Sequence, residues 1–409
     1  MAGDRGGDAA GLRASAGAAM RILVLTPTFF PVVGGAEMVI FEVYRRLARR
    51  HEVRLLTPEL SAVLRQEAGS DEYDALVPFP VERYRDRISF MRLRGHRWSG
   101  GLIPPFSLSA VAAVRRVARA FRPDVLNVHY LMPTGLAGLV AEWWLGIPTV
   151  LTVNGRDAPG PGVPPVWRAW QRALLGLVTD STYVSGYCRE ALYGARRGRG
   201  HVVYGGVEIP PPAGDGTDVR RALDVPPADV LVFALQRLAP EKRVDVLLRA
   251  LRACLDSHVP TTLVVGGRGS EESRLRMLAG DLGVEKQTRF VGYIPRAALG
   301  SYFASCDVFA FHSTFETFGI VVAQAMSYGR PVVTVRNTAL PEVVGEAGLL
   351  VETGDAHGFA AAITRLARDP ELRRTLGEEG ARRAETLFNW DRIVVQYEAL
   401  LGRAAARGR

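Results

Sequence analysis

Residues 308–335 run Val308-Phe309-Ala310-Phe311-His312, then Ser313-Thr314-Phe315-Glu316-Thr317, then Phe318-Gly319-Ile320-Val321-Val322-Ala323-Gln324-Ala325-Met326-Ser327, and close on Gly329-Arg330-Pro331-Val332-Val333-Thr334-Val335. The two ends are short apolar runs, as expected of strands covered on both faces. Between them lie a polar loop with one carboxylate and a helix beginning at about Phe318. Strand, crossover helix and strand in this order predict a parallel pair, and hence an α/β layered fold.

Outward from this unit the rhythm repeats. Strands are predicted over 230–235, 261–266, 289–292 and 348–351, with a helix over 244–254. In the amino-terminal half, strands are predicted over 21–26, 52–57, 124–129, 148–153, 181–184 and 201–203. A helix over 36–50 has Val39, Ile40, Val43 and Leu47 on one face, and another lies near 136–145. Pro210-Pro211-Pro212 with Gly214 and Gly216 punctuates the middle. The expected architecture is α/β, with two Rossmann-like, doubly wound parallel-sheet domains over 20–209 and 218–388 and a linker at 210–217. Residues 1–19 form a disordered tail, and a final helix at 389–409 packs back on the first domain. Such sheets bind ligands at their carboxyl ends, so a cleft is expected there.

The 409 residues suit two cores, and an apolar fraction of 48% with 23% charged residues marks a globular chain. Three scattered cysteines show no metal-ligand spacing and predict reduced thiols in the cytoplasm. The first 19 residues lack an apolar core, which argues against a signal peptide, and Met20 is an alternative start. The apolar stretch 136–153 is broken by Glu142 and Pro148, so it reads as helix then strand, not a membrane span. The net charge is +9, and its excess is local. Arg83, Arg85, Arg87, Arg92, Arg94, Arg97, Arg115, Arg116, Arg119 and Arg122 face only Glu82 and Asp86 within 81–122. Such a segment suits an anionic partner or is a solvated arginine-rich face. Ile88, Phe90, Met91, Leu93 and Trp98 are interleaved and could enter a membrane interface or the core.

Chemistry concentrates at two strand ends. A helix start near Phe318 offers free amides and a positive dipole end to an anion. Glu316 just before it cannot hold phosphate, because like charges repel, but can accept from sugar hydroxyls. Gln324 stands about two helical turns on, ~12 Å away. The second stretch, Leu235-Gln236-Arg237-Leu238-Ala239-Pro240-Glu241-Lys242-Arg243, places a guanidinium fork and a point charge around a turn, a pair suited to a diphosphate. Read alone, these could be a helix cap and two solvated surface cations.

Together the stretches resemble glycosyltransferase family 4, the group 1 retaining glycosyltransferases with the GT-B fold. The resemblance rests on Arg237-Leu238, Glu241-Lys242, Glu316, Gln324-Ala325-Met326 and Gly329-Arg330-Pro331-Val332-Val333. It extends through Gly34-Gly35-Ala36-Glu37, residues 124–129, Val184-Ser185, Gly206-Val207, Gly267-Arg268-Gly269 and Pro341-Glu342-Val343-Val344, covering 20 to about 395. It implies a nucleotide-diphosphate sugar donor, as substrate and not cofactor, and transfer of a hexose to a glycan, lipid-linked or small-molecule acceptor. Arg237 and Lys242 would hold the diphosphate, with Thr317, Phe318 and Gly319 adding to its site. Glu316 would hold the sugar and position 324 the ribose. Gly34 and Gly35 would admit a backbone close to donor or acceptor phosphate, and His129 would face the reacting sugar. Asn154, Arg156 and Asp157 are the candidate acceptor contacts. No metal, no cofactor and no nucleic acid partner are expected; an anionic membrane surface is a candidate partner, with the chain cytoplasmic or peripheral at the inner membrane face.

The sequence departs from the family at several places. Gln324 replaces a glutamate, Asn154 a histidine, Gln236 and Arg243 glycines, Gly205 an asparagine and Ala339 a glycine. Two readings compete: a sugar-nucleotide epimerase of the same architecture, and a non-catalytic sugar-nucleotide-binding protein suggested by Gln324. A dinucleotide-dependent oxidoreductase is disfavoured, because Pro27, Phe29, Phe30 and Pro31 follow the first strand where glycines are needed.

Overall fold

The computed structural model describes residues 18–32, 34–60, 75–87, 106–155, 157, 165–194, 198–209 and 217–408. They form two compact units, Met1–Gly205 with Trp390–Arg409, and Gly206–Asn389.

The first unit is a parallel sheet of β1 (Arg21–Leu25), β2 (Glu52–Pro58), β3 (Val81–Tyr84), β4 (Val125–His129), β5 (Thr149–Val153), β6 (Asp180–Tyr183) and β7 (His201–Val202), in the order β3-β2-β1-β4-β5-β6-β7. Helices α1 (Gly35–Leu47), α2 (Leu108–Phe121), α3 (Gly135–Trp144), α4 (Pro165–Gly176) and α5 (Gly186–Tyr193) join them. Strands β1, β4 and β5 are buried almost throughout, which is why they are rich in Val and Leu, with Asn127, His129, Thr149 and Thr152 as buried polar members. The chain winds from β1 outward to β3 and returns to β4 on the other side of β1.

The second unit contains α6 (Thr217–Ala222), β8 (Val230–Leu235), α7 (Val244–Asp256), β9 (Thr261–Gly266), α8 (Glu272–Asp281), β10 (Thr288–Gly292), α9 (Arg296–Ser305), β11 (Val308–Phe311), α10 (Ile320–Ser327), β12 (Val332–Val335), α11 (Leu340–Val344), β13 (Gly348–Val351), α12 (Ala356–Arg368) and α13 (Pro370–Leu387). Its sheet is again parallel, in the order β10-β9-β8-β11-β12-β13, so the winding reverses between β8 and β11. Phe233, Phe303 and Phe309 fill its core with ring centroids 5.4 to 5.8 Å apart. The last helix, α14 (Trp390–Arg407), belongs to the first unit. There Arg46 stacks over the Trp390 ring at 5.2 Å, and Glu398 meets the His51 imidazole at 3.0 Å.

The helix expected from Phe318 starts two residues later. Gly319 has φ +89, a left-handed geometry that cannot continue a right-handed helix, and it caps α10. Phe318 instead turns into the core, edge-on to Phe388 at 5.3 Å. Residues 210–216 of the expected linker (210–217), most of the tail (1–17), and Ile88, Phe90, Met91, Leu93, Arg92, Arg94, Arg97 and Trp98 lie outside the described residues.

The loop after β9 is built on the turn after β8. Gly267 has φ +117, and a Cβ there would sit 1.9 Å from the Gln236 carbonyl oxygen. Leu238 N–H donates to the Arg268 carbonyl at 2.9 Å. Because backbone, not a yielding side chain, faces that Cβ, Gly267→Ala should cost roughly 1–3 kcal/mol or more of stability. Chemical denaturation should show this, and a wild-type midpoint would contradict the packing.

Candidate active site

In a doubly wound sheet, side chains converge at the carboxyl ends of the two strands where the winding reverses. In the second unit those strands are β8 and β11. The turn after β8 is a single 3-10 turn, Pro240–Lys242, and the loop after β11 is 312–319. They are bonded directly: Thr314 N–H donates to the Glu241 carbonyl at 2.9 Å. Lys242 Nζ reaches Glu316 Oε2 at 2.7 Å and Ser313 Oγ at 3.3 Å, and lies over the Phe311 ring at 5.2 Å. Both charged side chains are mostly buried, at 15% and 19% exposure. Glu316 is fixed from its other side, since its N–H donates to Thr338 Oγ1 and its carbonyl accepts from Ala339 N–H. Arg237, largely exposed, donates to Glu241 four residues on at 2.9 Å. The structure thus brings the loops that carry Arg237, Lys242, Glu316 and Thr317 together at one strand end, with Gly319 turning the chain into α10.

Two departures from the family pattern have local reasons. Arg243 occupies a left-handed position, φ 46, where glycine is at ease. It is compensated by a two-pronged contact with Asp245 at 2.9 and 3.1 Å. Burial would raise the Asp245 carboxyl; the Arg243 guanidinium outweighs it and holds the group below its usual range. Gln236 donates to the Lys242 carbonyl at 3.3 Å and so braces the turn.

Gln324 is engaged differently from the ribose contact expected of it. Its Nε2 donates to the Glu208 carbonyl at 3.0 Å and to Ser327 Oγ at 2.8 Å, while its Oε1 accepts from Glu208 N–H at 3.3 Å. A carboxylate can accept but not donate, so glutamate could not make this clamp. Gln324→Glu should therefore cost about 1–2 kcal/mol of stability. An unchanged melting temperature with tighter nucleoside diphosphate binding by calorimetry would restore the ribose role.

In the first unit the reversal lies between β1 and β4. Glu37, in the first turn of α1, accepts from Thr28 Oγ1 at 2.5 Å. A Cβ on Gly34 would lie 2.5 Å from Glu37 Oε2, so this glycine makes room for its own neighbouring carboxylate. Gly35 opens α1. Tyr130 follows β4 with φ 69, a strained geometry for a bulky residue and a common mark of functional loops. Burial, then the charges of Glu37 and Asp157, push its phenol well above the usual range.

His129 is fully buried, not directed at solvent. Asn154 Nδ2 donates to its Nδ1 at 2.8 Å, and its Nε2 lies 3.0 Å from Tyr44 Oη. The Tyr44 hydroxyl donates to Asn127 Oδ1, and Asn127 donates onward to the Val150 carbonyl and Thr152 Oγ1. A neutral ring with the proton on Nε2 satisfies every member of this chain. Burial lowers the imidazole to about 3. Asp157 is buried too, accepting from the N–H groups of Leu131 and Gly155, both at 2.8 Å. Burial raises its carboxyl to about 6. Its carboxylate orders the loop rather than reaching outward, and Arg156 lies outside the described residues. Sequence reasoning had passed over Thr28, Glu37, Tyr44, Tyr130, Ser313 and Thr338. Of these only Glu37 carried a signal, as the last residue of Gly34-Gly35-Ala36-Glu37.

The depressed His129 has a definite sign. An unfolded imidazole takes its proton near pH 6.5, the folded one only near 3, so its stabilising share is full above about 6.5 and is lost as pH falls through about 3. Imidazole NMR, assigned with His129→Gln, should show no titration between about pH 5 and 8. A midpoint in that window would place the ring in water and contradict the buried chain.

Two doubly wound α/β units, each with polar and charged side chains at its strand-order reversal, define a protein of the GT-B glycosyltransferase class. The profile of glycosyl transferases group 1 matches residues 216–383, and that of Glycosyltransferase Family 4 matches 33–209. The chain is 34% identical over 327 residues to a D-inositol 3-phosphate glycosyltransferase of Acidothermus cellulolyticus, covering 73% of this chain and 71% of that one. It is 26% identical over 399 residues to an N-acetyl-alpha-D-glucosaminyl L-malate synthase of Bacillus anthracis, covering 91% and 95%. Among solved structures, Anabaena Alr3699/HepE in complex with UDP-glucose superposes with a TM-score of 0.75 at 21% identity, covering 94% of this chain and 100% of that one. The chain belongs to the family 4, group 1 glycosyltransferases. That membership sets aside the epimerase and oxidoreductase readings. Among the described residues no helix is long and apolar enough to cross a membrane, and no group of three His, Cys, Asp or Glu could hold a metal ion.

Proposed function

We propose that the protein is a retaining, metal-independent hexosyltransferase that uses a UDP- or GDP-sugar. The observation that carries this is the Lys242–Glu316 pair at the β8–β11 reversal, a cation and a hydroxyl acceptor 2.7 Å apart. In this reading Arg237 and Lys242 hold the donor diphosphate and stabilise the charge that develops on it, with the backbone around Phe318 and Gly319 adding to that site. Glu316 accepts from sugar hydroxyls. Transfer proceeds by attack on the face the leaving group departs from, with the leaving phosphate accepting the acceptor's proton, so the protein's part is positioning and electrostatics. His129, buried and neutral, fixes the ends of β4 and β5 and moves no proton. Support for the donor class comes from the UDP-glucose complex of the structural relative.

The acceptor is assigned to the first unit, at the loops carrying Tyr130, Asn154, Arg156 and Asp157. A small hydroxylated anion fits best, because the relatives are named for inositol 3-phosphate and malate. We place the enzyme in the cytoplasm, at the inner membrane face. The exposed Arg115, Arg116 and Arg119 of α2 support this.

The test is incubation with UDP-glucose or GDP-mannose, with and without inositol phosphate or malate, in the presence of a chelator. Nucleoside diphosphate release that needs an acceptor and survives chelation is expected. Turnover by donor alone, or binding with no turnover across the panel, would overturn the reading. Arg237→Ala and Lys242→Ala should each cost about 2–4 kcal/mol of transition-state stabilisation with the fold retained. Activity of both within about threefold of wild type would remove the diphosphate clamp.

A further inference from the structure

Helix α3 reverses the usual burial of an amphipathic helix. Its inner face is Gly135, Ala137, Gly138 and Ala141. A Cβ on Gly138 would lie 3.0 Å from Leu151 and 3.1 Å from Val128 and Thr149, so the helix backbone sits directly on β4 and β5. The large apolar side chains are thereby turned outward: Leu136, Leu139 and Val140 are half-buried, while Trp143 and Trp144 are 64% and 79% exposed. Trp143 is held in this pose by its indole N–H, which donates to the Leu177 carbonyl at 2.7 Å. Leu108 on α2, Val166 on α4 and Leu177 after it are exposed on the same helical layer.

Arginines border this apolar strip. Arg115, Arg116 and Arg119 stand exposed on α2, the neighbour of α3. On the other side Trp143 lines an open hollow with Leu177, Thr179, Arg199, Arg407 and Glu142. The Glu142 charge is already engaged by Thr149 N–H, Thr179 N–H and Thr179 Oγ1. The hollow holds two arginine side chains beside a tryptophan, Arg199 donating to the Gly176 carbonyl and Arg407 to the Thr179 carbonyl, both at 3.3 Å.

We propose that the α2–α3–α4 layer is a docking surface for an anionic phospholipid bilayer. In it, Trp143 and Trp144 enter the headgroup region, the α2 arginines lie against lipid phosphate, and Arg199 and Arg407 receive a headgroup at the hollow. Amphipathic rings at headgroup level with flanking arginines are the chemistry of such an interface. A second copy of the chain is disfavoured, because a self-complementary contact would set like arginine rows together. This deepens the membrane placement proposed above and rests on it. Trp144 precedes β5 at the amino ends of the first unit's strands, whereas Tyr130 and Asn154 follow β4 and β5 at their carboxyl ends, so docking leaves those loops free.

The full chain is tested by co-sedimentation with phosphatidylglycerol–phosphatidylcholine vesicles and with phosphatidylcholine alone, at low and high salt. The wild type should bind the anionic vesicles at low salt and release in high salt. Trp144→Ala should lower that partition about tenfold, and Arg115→Glu with Arg116→Glu and Arg119→Glu should remove it, with melting temperature and UDP-glucose binding unchanged. Wild-type binding that Trp144→Ala leaves intact would overturn this surface while keeping the membrane placement. No wild-type binding would overturn both. Self-association lost in Trp144→Ala would assign the face to a second copy instead and overturn the proposal.

Discussion

The return of the chain to β11 beside β8, instead of continuing past β10, governs where the chemistry of the second unit falls. Parallel strands all end on one edge of the sheet, and helices cover both faces. Only where the winding reverses do two strand-end loops diverge and leave a crevice. Residues far apart in sequence, Lys242 and Glu316, meet there because β8 and β11 are neighbours in register. The first unit repeats the rule at β1 and β4, gathering Thr28, Glu37 and Tyr130.

The charges at these ends are already paired. Lys242 holds Glu316, Arg237 holds Glu241 and Arg243 holds Asp245. Exposed pairs contribute little, about 0–1 kcal/mol, so Arg237 can exchange its partner at small cost. The Lys242–Glu316 pair is more enclosed, and two backbone contacts fix Glu316 from behind. Its geometry is therefore set before any ligand arrives, which is the condition for electrostatic stabilisation without reorganisation. Strained residues sit at the same places: Tyr130, Arg243 and Thr338 all have positive φ.

The fold was legible because buried parallel strands are rich in Val, Leu and Phe, and the order of motifs supplied the rest. The helix boundary at 318 was missed because a glycine's φ is not written in the sequence, and Gly319 ends the loop in a left-handed turn. Arg237, Lys242 and Glu316 stood out as charges at predicted strand ends, and the family resemblance alone gave them roles. Their partners Ser313 and Thr338 did not stand out, since small hydroxyls carry no pattern of their own. His129 was legible as a residue at a strand end, but its burial depends on Tyr44, Asn127 and Asn154, which three separate elements supply. Gln324 shows the converse case. The family resemblance gives it a ligand, whereas its two-ended amide fits the backbone of Glu208.

The central claim is that the β8–β11 crevice binds the donor. Hydrogen–deuterium exchange of the full chain with and without UDP-glucose measures this residue by residue. The account predicts slowed exchange confined in the second unit to amides around 237–243 and 313–320, where ligand oxygens and backbone would meet. Protection elsewhere in that unit, with these two segments unchanged under saturating donor, would contradict it.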